Sequence, residues 1–130
     1  MKQILFWAAI VSVLFTGAAL GKSNGAAPLT GTWECVAHGF PKGDVNFTLY
    51  LTQHEDQSIT GWVSSPLGTA DLMSVTFEND MLKIQIDAPQ GLYRLNGQFH
   101  KGQFSGDWAR GADLKGNWEG KKTSTSPDPK

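Results

Sequence analysis

Only one cysteine, Cys35, occurs in the 130 residues, so no disulfide can form within the chain. Neither sign of charge dominates: eleven Lys and Arg stand against twelve Asp and Glu, a formal net charge of −1. With no basic patch either, nucleic acid has no electrostatic footing. A phosphate-cradling glycine loop is lacking, and no apolar stripe at helical spacing lasts longer than one turn. The single long apolar run, Ile4 to Phe15, is shorter than the roughly 20 residues of a spanning helix. Stability must come from packing, and the elements that pack are strands.

What is present begins with a positive charge at Met1-Lys2-Gln3, that apolar run, and the small residues Thr16-Gly17-Ala18-Ala19-Leu20-Gly21. This order is that of a secretory signal peptide over residues 1–21, cut ahead of Lys22; an uncleaved anchor is the rival reading. The expected compartment is secreted or periplasmic, with no membrane span after cleavage. Residues 22–28 read as a linker and 29–120 as one domain. The tail "KKTSTSPDPK" over 121–130 has no apolar residue to bury and reads as disordered.

From Thr30 to Gly120 the pattern has period two. Val45, Phe47, Leu49 and Leu51 alternate with Asn46, Thr48, Tyr50 and Thr52; Leu82, Ile84 and Ile86 alternate with Lys83, Gln85 and Asp87; Tyr93, Leu95, Gly97 and Phe99 alternate with Arg94, Asn96, Gln98 and His100. These are strands with one wet face. Turn signals recur about every ten residues, at His38 to Asp44, His54 to Gln57, Ser64 to Gly68, Asn79-Asp80, Pro89-Gln90, Lys101-Gly102 and Arg110 to Asp113. Connections this short join antiparallel neighbours, so about eight strands form a meander.

Register tests the pattern. A two-residue turn at Asn79-Asp80 sets Phe77 against Leu82, Val75 against Ile84 and Met73 against Ile86. One at Lys101-Gly102 sets Phe99 against Phe104, Gly97 against Gly106 and Leu95 against Trp108. A loop centred on Gly111 sets Trp108 against Leu114, Gly106 against Gly116 and Phe104 against Trp118. One face stays apolar throughout, and no helix is left to cover it. Closing the sheet removes both the uncovered face and the exposed edges. The expected fold is all-β, a single antiparallel up-and-down β-barrel; a β-sandwich is the alternative.

The opening Leu29-Thr30-Gly31-Thr32-Trp33 resembles the first strand of the calycin group: lipocalins, fatty-acid-binding proteins and avidins. The resemblance implies that Trp33 plugs one end of the barrel beneath a basic side chain, here Lys121 or Lys122. "LTGTW" and "ITGWVSS" resemble the first strands of avidin-type biotin binders, but Cys35 stands in the Asn position and Val63 in the Tyr position, with only Ser65 kept. The span from Leu29 to Gly120 is more similar to barrel modules attached to secreted bacterial hydrolases, with an opening "L.G.W", a central hairpin from Val75 to Leu82 and a late "G.W". That family implies an accessory role rather than a mechanism.

The residues assigned inward include Trp33, Phe47, Phe77, Tyr93, Phe99, Phe104, Trp108 and Trp118, with Gly61, Gly97, Gly106 and Gly116 among them. A row of glycines between aromatic walls is a slot for a small apolar ligand, unless Trp rings fill it. The ligand-binding set is therefore Trp33, Phe47, Phe77, Tyr93, Gly97, Phe99, Phe104, Gly106, Trp108, Gly116 and Trp118. On the wet face, pairing Leu51 with Ile59 sets Thr48 against Trp62 with Tyr50 diagonal to it; Tyr50 and Trp62 either mark a protein-partner surface or cover each other. Cys35 and His38 lie on opposite faces of a strand end, and His54-Glu55-Asp56 reads as a solvated turn. Neither a catalytic group, a metal site nor a cofactor is expected. The leading expectation is a non-enzymatic lipocalin-like barrel that binds a small apolar ligand; the alternative is a module with a filled core that acts through its outer surface.

Overall fold

The computed structural model describes residues 28–128; the expected signal peptide (residues 1–21) and the linker up to residue 27 lie outside the described residues. Eight strands follow in order: β1 (Gly31–His38), β2 (Val45–Gln53), β3 (Ile59–Ser65), β4 (Gly68–Glu78), β5 (Met81–Ala88), β6 (Gly91–His100), β7 (Gln103–Arg110) and β8 (Leu114–Ser124). Each pairs antiparallel with its neighbours in sequence, and β1 pairs with β8. The result is the expected closed up-and-down barrel, and not a sandwich.

Alternation places the core. Phe47, Leu49 and Leu51 of β2 are buried, as are Leu82, Ile84 and Ile86 of β5 and Tyr93 and Leu95 of β6, while Asn46, Lys83, Asp87 and Arg94 are exposed. Two hairpins turn as their sequences demand. Asn79 and Asp80 have φ of 53° and 63°, and Lys101 and Gly102 have 53° and 80°. Two successive left-handed residues make a turn whose twist matches that of the flanking strands. Phe77 accordingly faces Leu82 and Val75 faces Ile84 in one hairpin, and Phe99 faces Phe104, Gly97 faces Gly106 and Leu95 faces Trp108 in the other.

Elsewhere the register departs from expectation. Leu72, not Met73, stands opposite Ile86, because a bulge lies between Leu72 and Ser74; Met73 is 54% exposed. The last hairpin is slipped by two residues: Trp108 faces Gly116, Gly106 faces Trp118 and Phe104 faces Gly120, so three glycines do not lie in a row. Ile59 pairs with Gln53 rather than Leu51, which brings Tyr50 directly opposite Trp62. The final strand runs on to Ser124, beyond Gly120, and within the expected tail Ser126 O accepts a hydrogen bond from the Thr32 hydroxyl at 2.6 Å. Met73 changes face at the bulge, whereas in the two slips by two residues the side chains keep their faces. A two-residue shift preserves parity, so the alternation cannot detect it.

Candidate functional site

The repeated Phe/Leu-x-Gly-x-Trp stretch builds the wall of the interior. Because Gly106-Asp107-Trp108 runs antiparallel to Gly116-Asn117-Trp118, each Trp faces the other strand's glycine. Trp118 extends across Gly106 to lie over Gly97, and its indole N–H donates to Asn96 O at 3.1 Å. Trp108 extends the other way across Gly116, and its N–H donates to His38 O at 2.7 Å. Side chains at these glycines would collide with the rings or with the carbonyls that the rings reach. The space above Gly97 and Gly106 is thus taken by Trp118, and the glycines act as seats for indoles.

One end of the barrel is packed solid. Trp33 is 1% exposed, donates its indole N–H to Leu29 O at 2.9 Å and packs on Phe104, ring centroids 4.7 Å apart. Phe99 and Phe77 extend this cluster edge-on at 6.3 Å and 6.0 Å. Lys122 Nζ sits over the Trp33 ring, 5.5 Å from its centroid, and donates to Pro28 O at 2.8 Å. Partial burial holds the Lys122 ammonium below the ordinary lysine pKa. Of the two expected cations, Lys122 is the one over the ring.

The other end is hollow. Where β1, β3, β5 and β7 finish, a cavity of about 80 Å³ lies among Ala37, Phe47, Val63, Ala70, Ile86, Tyr93, Leu95 and Trp108, with Leu67, Thr69 and Gln90 at its rim. On such a measure a water needs roughly 10–15 Å³, so the space takes several waters or a compact molecule of a few heavy atoms. Phe40, from the loop after β1, stacks on Trp108 with centroids 4.1 Å apart and lines the opening. At the rim the Arg110 guanidinium lies over the Tyr93 ring, 5.6 Å from its centroid, and donates to Tyr93 Oη at 3.1 Å.

The expected ligand set is therefore divided. Phe47, Tyr93 and Trp108 line the cavity. Trp33, Phe77, Phe99 and Phe104 form the plug at the opposite end, and Trp118 with Gly97, Gly106 and Gly116 forms the wall between. Phe40, Val63 and Ala70 line the cavity too, although the expected set omitted them. Phe40 is a lone aromatic between turn-forming residues, and that isolation was its only signal. On the outer face Tyr50 and Trp62 stack at 4.1 Å and 16°, each half-buried by the other.

Other chemistry-bearing side chains are scattered. Cys35 is buried, and burial first, then the charge of Glu34, pushes its thiol pKa far up. His38 Nδ1 lies 3.0 Å from Asp44 and Nε2 lies 3.6 Å from Glu119; the Asp44 hydrogen bond, then the two carboxylate charges, raises its pKa. His54 Nε2 lies 2.9 Å from Thr60 Oγ1 on the outer face. Among the described residues no three His, Cys, Asp or Glu side chains converge as metal ligands would.

Fold and site together define a small closed β-barrel, rich in interior aromatics, solid at one end and hollow at the other. No protein-family model and no curated protein matches the chain in sequence.

Proposed function

We propose that this chain is a secreted or periplasmic, non-enzymatic barrel of the calycin kind that holds a small apolar ligand in the cavity at its open end. The observation that carries the reading is the asymmetry of the interior. Aromatic rings fill the end beneath Lys122, whereas the opposite end keeps an apolar space of about 80 Å³ between Phe47, Tyr93 and Trp108. Burying an apolar ligand there stabilises the complex by about 25 cal/mol per Å² removed from water. Trp33 under a cation from the last strand supports the calycin reading. The charged start, apolar run and small residues of positions 1–21 support export. A buried, protonated Cys35 supports binding without chemistry.

A titration with short- and long-chain fatty acids and hydrophobic dyes, followed by tryptophan emission, tests the site. Compact apolar ligands should give a saturable change, because Trp108 lines the cavity. Replacing Ala70 with Phe should weaken binding at least tenfold while far-ultraviolet circular dichroism stays unchanged. No change in emission with any ligand would sink the proposal. The second reading, an outer-surface protein-interaction module, is favoured by the Tyr50–Trp62 stack; Trp62→Ala would then abolish partner capture and leave ligand titrations as they were.

A further inference from the structure

We propose that the second half of β4 is a docking edge for an extended, basic segment of a partner protein, which adds a strand in the seam between β3 and β4. The ladder between these strands runs only from Ser65 opposite Gly68 to Trp62 opposite Asp71. Beyond Asp71, β4 continues to Glu78 with partners on β5 alone, and Ile59 to Gly61 of β3 have partners on β2 alone. In an antiparallel sheet the N–H and C=O groups of a strand point alternately to its two neighbours. Half of those in Leu72 to Glu78 therefore face the seam with no strand to receive them.

Three further observations agree. The bulge between Leu72 and Ser74 sits where β4 leaves β3, and a bulge bends and twists its strand away from a neighbour. β4 alone among the eight strands contains no buried residue. Its inward Val75 and Phe77 are only partly buried, although their partners Ile84 and Leu82 are 1% and 0% exposed. An added strand would cover both, along with Met73. Apart from its bulge and the carboxylates at Asp71 and Glu78, β4 lacks the usual guards of an edge, since it carries no Pro, Lys or Arg.

Charge selects the occupant. Asp71 and Glu78 lie at the two ends of the unpaired run of β4, and Glu55 and Asp56 lie in the turn that leads into β3, all exposed; the stretch of β5 paired with that run carries one cation, Lys83, opposite Thr76. Hydrogen bonds from the Ser58 hydroxyl and amide keep Asp56 ionised. A segment with Lys or Arg facing outward and apolar residues facing inward matches this border. A second copy does not, because antiparallel pairing of two β4 edges would put Asp71 and Glu78 of both chains into one ladder. The seam reaches the packed end of the barrel, so the inference stands apart from the cavity reading.

The test uses the full chain and three capped, labelled heptapeptides: alternating Lys and Val, alternating Glu and Val, and a fully N-methylated Lys/Val peptide. Fluorescence anisotropy should show the Lys/Val peptide binding at least tenfold tighter than the Glu/Val peptide, with N-methylation abolishing binding. The seam-facing amides among residues 72–78, those not bonded to β5, should exchange at least tenfold more slowly in the complex. Equal affinity for the acidic or the N-methylated peptide overturns the proposal. So does slow exchange of those amides in the free protein, or a dimer in sedimentation that Met73→Lys disperses.

Discussion

A methyl group added at Gly97 would stand 2.5 Å from Cζ2 of Trp118, closer than packed carbons approach. Trp118 has no room to retreat, since it is 1% exposed and its indole N–H is committed to Asn96 O. Gly97→Ala is expected to destabilise the barrel by about 1–3 kcal/mol in urea unfolding, as an overpacked core does. Combining it with Trp118→Leu should cost less than the two single changes summed, because the clash disappears with the ring. Gly106 is less forgiving still, because a side chain there would strike the Asn96 carbonyl itself. Substituting it tests the fold rather than ligand binding.

At the scale of elements, the bulge in β4 is a single inserted residue. Leu72 and Val75 both point inward, while Met73 and Ser74 together oppose Gln85. Deleting Met73 restores strict alternation, and the deletion variant should fold with a stability within about 1 kcal/mol of the parent in urea unfolding. Deleting Ser105 from β7, which inverts Phe104 relative to Gly106 and Trp108, should unfold the protein. The same physics explains what the sequence made legible. Alternation fixed the faces of β2, β5, β6 and β7, and the Asn-Asp and Lys-Gly turns fixed two registers, since such turns admit few geometries. Alternation is blind to slips of two residues, so the pairing of Trp108 with Gly116 and of Tyr50 with Trp62 depended on loop lengths that composition does not encode. Adjacent apolar residues, Leu72 and Met73, hid the bulge. Of the four aromatics that line the cavity, Phe47, Tyr93 and Trp108 were legible as inward residues, but Phe40 belongs to a loop, where no periodicity marks it.

For the molecule as a whole, closure depends on the last residues as much as on the core. Lys121, Lys122 and Ser124 complete the ladder to Glu34, Trp33 and Thr32 of β1, and Thr123 Oγ1 donates to Thr32 O. Truncation after Gly120 should therefore cost about 2–5 kcal/mol in thermal or urea unfolding, several hydrogen bonds at roughly 0.5–1.5 kcal/mol each together with the cation over Trp33. Disordered residues could be removed without effect, so an unchanged midpoint would refute this role. The open end obeys different rules. Its opening is lined by Phe40, carried on the segment between β1 and β2, and that segment contributes nothing to the ladder. The barrel is thus a fixed vessel with an exchangeable stopper. On the proposed ligand-binding reading, grafting loops of other lengths between His38 and Val45 would retune capacity and selectivity without altering one rung of the sheet.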